Sequence, residues 1–124
     1  MSTAKFDTLS NLAGTQTVPV ATVAQGSAKA WVNFNGTGTV AIRASFNVSS
    51  ITDNGTGNYT INFTTAMPDA NYVASCTAQD TNTNMTNGVS ATGVSFATSS
   101  CQVKCGAYSS GVFDPAVFCV AIFR

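Results

Sequence analysis

Five side-chain carboxylates, all from Asp, are the ones this sequence offers for acid–base work, and it contains neither His nor Glu. Two carboxylates suffice for glycoside hydrolysis, so a polysaccharide depolymerase is the enzymatic alternative. Asp53, Asp69, Asp80 and Asp114 each sit beside turn-forming residues, where an Asp side chain ordinarily bonds its own backbone. No pair stands out, no catalytic residue is assigned, and no enzyme is expected. The glycine-rich stretches "NGTGTV" and "NGTGNY" join strand to strand. They lack the following helix whose N-terminus would hold a phosphate, so no cofactor is expected. "TDNGTGN" has a single Asp, short of a calcium loop. Cys101 and Cys105 are four apart, which misses the zinc and redox spacing, so no metal is expected. Cys76, Cys101, Cys105 and Cys119 read as small buried hydrophobes in strands. With no leader segment read at the N-terminus, disulfides would form only after release from the cell.

What remains is neutral chemistry. Hydroxyl and amide side chains can hydrogen-bond sugar hydroxyls without the desolvation cost of a charge, and Trp31, Tyr59, Tyr72 and Tyr108 are available to stack on a sugar ring. Charged residues make up 8% of the sequence, against roughly 25% in an average soluble protein. Lys plus Arg balance Asp at a formal charge of +0, so there is no basic stripe for nucleic acid. The longest apolar run, "AVFCVAIF", is far shorter than the roughly 20 residues of a membrane helix; neither membrane insertion nor a signal peptide is expected. Asn-x-Ser/Thr recurs at Asn35, Asn47, Asn54, Asn58, Asn62 and Asn84. In a sequence so rich in Asn and Thr, those matches are expected by chance.

The elements that must position these groups are strands. Residues 1–28 show neither a helical stripe nor clean alternation, and Pro19 and Gly26 interrupt them. They read as an extended arm, with a short helical turn at "TLSNLA" if a partner docks there. From residue 29 the period is two. In "KAWVNFN", Ala30, Val32 and Phe34 face one way and Lys29, Trp31 and Asn33 the other. "TVAIRASFNV" places Val40, Ile42, Ala44, Phe46 and Val48 on one face, and it is expected to pair with "YTINFTTAM" across a loop, "SSITDNGTGN". "YVASCTAQ", a polar loop at residues 80–88, "VSATGVSFATSS", "CQVKCGAYSSG" and "PAVFCVAIFR" complete the sequence. The last is apolar on both faces, as in a central strand or one packed on another subunit. About seven strands with turns every 8 to 12 residues predict an all-β fold. The expected architecture is an antiparallel β-sandwich or compact barrel-like knob over 29–124, with the arm outside it.

Three readings compete for the Asn- and Thr-rich strand surface: Thr as a strand former with Asn in turns, a low-charge face packed on identical copies, and ligand binding. Oligomerisation, for instance as a trimer, would bury surface that charge does not keep soluble and would close strand edges. The polar loops 52–58 and 80–88 hold the candidate receptor-facing residues Asp53, Asn54, Thr56 and Asn58, and Asn82, Thr83, Asn84 and Asn87.

Residues 27–73, through "KAWVNFNGTGTVAIR", "SFNVSSITDNGTGNYTINF" and "AMPDANYV", resemble a domain recurrent in tail-fibre and related virion proteins of tailed bacteriophages, especially those of cyanobacteria and other aquatic hosts. The resemblance covers a little over a third of the sequence and carries over no catalytic residue. It implies a virion protein on the tail or capsid surface, synthesised in the host cytoplasm. Such a protein would be a homotrimer whose N-terminal arm attaches to other virion proteins and whose knob binds a host surface glycan or outer-membrane protein. Because only about 28 residues precede the knob, the expectation is a short tail fibre, fibre tip or spike knob. A capsid decoration or head-fibre protein is the alternative.

Overall fold

The structure is a computed structural model that describes residues 3–79, 89–107 and 111–124. The fold is all-β, and among the described residues every strand pairing is antiparallel. A short hairpin of β1 (Thr8–Ser10) and β2 (Thr17–Pro19) leads into α1 (Val20–Gly26). The strands β3 (Ala28–Asn35), β4 (Ala41–Phe46), β5 (Val48–Asp53), β6 (Asn58–Phe63), β7 (Val73–Gln79), β8 (Val89–Phe96), β9 (Ser100–Ala107), β10 (Gly111–Val112) and β11 (Val117–Phe123) follow. They form a four-stranded sheet in the order β4-β3-β11-β7 and a five-stranded sheet in the order β10-β9-β6-β5, with β8 also on β9.

Alternation drives the sandwich. Ala30, Val32 and Phe34 of β3 and Phe118, Val120 and Ile122 of β11 are buried against Tyr59, Ile61 and Phe63 of β6 and Cys101, Val103 and Cys105 of β9. At its centre the rings of Phe34, Tyr59 and Phe118 lie 5.1 to 6.0 Å apart, each such pair contributing about 0.5–1.5 kcal/mol beyond area burial. The two-faced C-terminal segment is central, with β3 on one side and β7 on the other.

The stretch with the cleanest alternation behaves differently. Val40 to Val48 does not run as one strand. It divides at Asn47, which adopts φ 54, a left-handed conformation that Asn tolerates better than most residues. The Asn47 amide donates to the carbonyls of Lys29 (3.0 Å) and Thr65 (3.1 Å) and accepts from the Thr65 N–H (2.7 Å), which pins the corner between the two sheets. A register shift opposite Asn33 and Phe34 puts Ile42 across from Phe34 but Ala44 and Phe46 across from Asn33 and Trp31. One extra residue therefore carries Ala44 and Phe46 to the outer face, and all of β4 is exposed. The pairing with β6 comes from β5, in what reads in sequence as a loop, so the turn itself is residues 54–57. Likewise "TLSNLA" contributes strand β1, and the helical segment falls after Pro19. Residues 3–27 include no buried position.

Candidate binding surface

The outer face of the four-stranded sheet is set by the residues that alternate with the core. Along β3 these are Trp31 and Asn33; across β11 and β7 the register continues as Trp31, Ala121, Ser75 in one row and Asn33, Cys119, Thr77 in the next. Trp31 forms one wall of a shallow trough of about 270 Å³, Ala121 and Cys119 its floor, and Ser75 and Thr77 the far wall. The small floor residues create the depression between larger walls. Trp31 is 41% exposed, and its cross-strand neighbour Phe46 is 55% exposed. No charged side chain lines the trough. Arg43 sits beyond one end, 3.4 Å from Asn33 Oδ1, and donates to the Ala116 carbonyl (2.7 Å). Among the described residues the Ser75 and Thr77 hydroxyls have no hydrogen-bond partner. The trough therefore offers an aromatic face, neutral donors and acceptors, and an apolar floor, which is the composition of a small-molecule site.

The other aromatic candidates fall elsewhere. Tyr59 is fully buried; its hydroxyl donates to Asp114 Oδ1 (2.7 Å) and lies 3.2 Å from the Gly36 carbonyl. Burial first, then that carboxylate, raises its pKa well above the ordinary 10.0. Tyr72 is buried too, with its hydroxyl between the carbonyls of Ala97 (3.0 Å) and Ser100 (2.9 Å) and its pKa raised chiefly by burial. Neither can stack on an external sugar. Both belong to the core because they close its ends and satisfy their hydroxyls internally. Tyr108 lies outside the described residues, as do Asp80, Asn82, Thr83, Asn84 and Asn87.

The turn candidates are present and exposed, except for half-buried Asn58, yet most of their polar atoms serve the fold. Asp53 accepts from the Gly55 N–H (2.9 Å), Asn54 donates to Thr60 Oγ1 (2.8 Å), and Asn58 accepts from Gln102 (2.8 Å). Thr56 is exposed at the tip. Asp69 pairs with Arg124, which, with the Asn71 N–H, holds its carboxyl below the usual value. Asp114 accepts from the Gly57 N–H as well as Tyr59. These three carboxylates act as turn and strand staples. Cys76 faces inward opposite Val120, and burial pushes its thiol up to about 11, which leaves it protonated and unreactive near neutral pH.

Asn33, Ser75, Thr77 and Ala121 were not named as binding candidates by sequence reasoning, and Cys119, read there as a buried strand residue, is half-buried on the outer face because β11 turns that parity away from the core. The pointer to them was Trp31, a large aromatic on the outward parity of a strand. No helix among the described residues is long and apolar enough to cross a membrane. Comparison with protein-family models, with curated proteins and with solved structures finds no match.

Proposed function

We propose that the protein is a bacteriophage virion component, a short tail-fibre or spike knob that contributes to host attachment, with the Trp31 trough as its receptor-contacting site. The observation that carries this reading is an uncharged trough in which an exposed indole faces the Ser75 and Thr77 hydroxyls across a floor of Cys119 and Ala121, a surface suited to the C–H face and hydroxyls of a neutral glycan. The resemblance of residues 27–73 to virion proteins supports the setting. The arm supports attachment to other virion proteins, since Phe6, Leu9, Leu12 and Val23 are all exposed there and a lone two-stranded hairpin is marginal in water. Low charge and the open β4 edge favour assembly with identical copies, as in a homotrimer. The same arm suits a second reading, a capsid decoration or head-fibre protein.

Imaging of the labelled polypeptide on purified particles separates these readings: tail density favours attachment, head density favours decoration, and absence from particles rejects both. On particles carrying it at the tail, Trp31→Ala is expected to lower adsorption about tenfold or more, the loss typical of a central aromatic contact, with particle assembly unchanged. Wild-type adsorption by that variant rejects the trough.

A further inference from the structure

The tetrapeptide Asn-Gly-Thr-Gly occurs twice, at residues 35–38 and 54–57, and the fold treats the two copies differently. An Asn-Gly bond is chemically labile because glycine, lacking a Cβ, lets its own nitrogen reach the preceding side-chain amide carbon. At Asn35 this approach is blocked. The side-chain amide donates to the Thr37 carbonyl (2.6 Å) and accepts from the Thr37 hydroxyl (2.8 Å). The Gly36 N–H is spent on the Pro115 carbonyl (2.8 Å). Gly36 is so enclosed that an added Cβ would lie 2.5 Å from the Tyr59 hydroxyl and 2.9 Å from Pro115.

Asn54 is exposed. Gly55 has nothing within 4 Å of an added Cβ and holds φ +107, and the one side-chain bond of Asn54 runs to the hydroxyl of Thr60. The Gly55 N–H donates to the Asp53 carboxylate (2.9 Å), a proton acceptor where Gly36 has only a neutral carbonyl.

We infer that Asn54 is a site of spontaneous deamidation and that the fold protects Asn35. The Gly55 nitrogen bonds to Asn54 Cγ as the bond between Cγ and the amide nitrogen Nδ2 breaks. The Gly55 proton passes by way of the Asp53 carboxylate or water to the leaving ammonia. Water then opens the succinimide at either carbonyl, giving aspartate or isoaspartate at position 54. The product loses the Nδ2 donor that Asn54 gives to Thr60 and takes the formal net charge from +0 to one unit negative, at a turn of the knob. This modification does not depend on the proposed function.

The two sites calibrate each other, because their local sequences are identical from Asn to the second Gly. Incubation of the purified full-length protein at neutral pH, followed by peptide mass spectrometry, should show position 54 converting about tenfold or more faster than position 35, a factor that corresponds to about 1.4 kcal/mol of added barrier. In urea the two rates should converge. Equal rates in the native protein, or conversion at Asn54 only after unfolding, would overturn the inference.

Discussion

On the outer face of the five-stranded sheet, Asn62 donates to the hydroxyls of Ser50 and Thr52 (3.0 Å each), Asn54 to that of Thr60, and Gln102 to the amide oxygen of Asn58. On the outer face of the four-stranded sheet, Trp31, Phe46 and Val73 stand 41, 55 and 64% exposed beside Cys119 and Ala121. Each face carries few charges, Lys104 on the first and Lys29 and Arg43 on the second, but only the first closes on itself. Its Asn and Thr side chains are bridged across strands, so they stabilise the sheet and offer few free groups to a partner. The second leaves its hydroxyls free around an indole. Low charge thus has two meanings in one molecule, a self-satisfied polar ladder and an unpartnered apolar surface.

The largest effect tests the layer that holds the two faces apart. Tyr59 and Tyr72 keep their protons above the ordinary 10.0 because both are buried, and Cys76 does so above the ordinary thiol value of 9.0. The unfolded protein releases these protons first, so the folded form is favoured fully below about pH 9. It weakens slightly as Cys76 begins to count, and above pH 10 the two tyrosines remove up to about 2.7 kcal/mol per pH unit. Denaturant midpoints across this range, read beside tyrosinate absorbance, check the sign. Ionisation of both buried hydroxyls near pH 10 in a still-folded protein would mean that the layer between the sheets is open to water.

A smaller effect tests the ladder. Asn62→Ala removes two side-chain bonds at a partly exposed site and should cost about 1 kcal/mol in chemical unfolding, while adsorption stays at the wild-type level. A matching loss of adsorption would make the polar face a binding surface and erase the contrast.

Much of this was legible in the strand parity. Tyr59 alternates with Ile61 and Phe63, which places it inside, whereas Trp31 has the opposite parity to Val32 and Phe34, which places it outside. Grouping the aromatics by type hid that distinction. The division at Asn47 was less readable, because five alternating apolar residues satisfy the strand template whether or not a bulge reverses their faces midway. Ser75, Thr77, Cys119 and Ala121 join Trp31 only because β11 lies between β3 and β7, and strand order is a non-local property that alternation does not encode. Tyr72 precedes its strand, and its burial depends on carbonyls 25 and 28 residues away.

The smallest expected effect is the sharpest test of whether the apolar face is free. Phe46 lies outward on edge strand β4, opposite Trp31. A side chain more than half exposed gains little on folding, and Thr is at least as good a strand former. Phe46→Thr gives up one cross-strand contact worth about 0.2–1 kcal/mol, partly offset by the strand preference of Thr, so the unfolding free energy should change by about 0.5 kcal/mol or less. The measurement belongs at two protein concentrations. A loss above about 2 kcal/mol that grows as the protein is concentrated would show that Phe46 is covered by another copy in solution. The face around Trp31 would then be a subunit interface, and the proposed receptor contact would have to be sought at the turns.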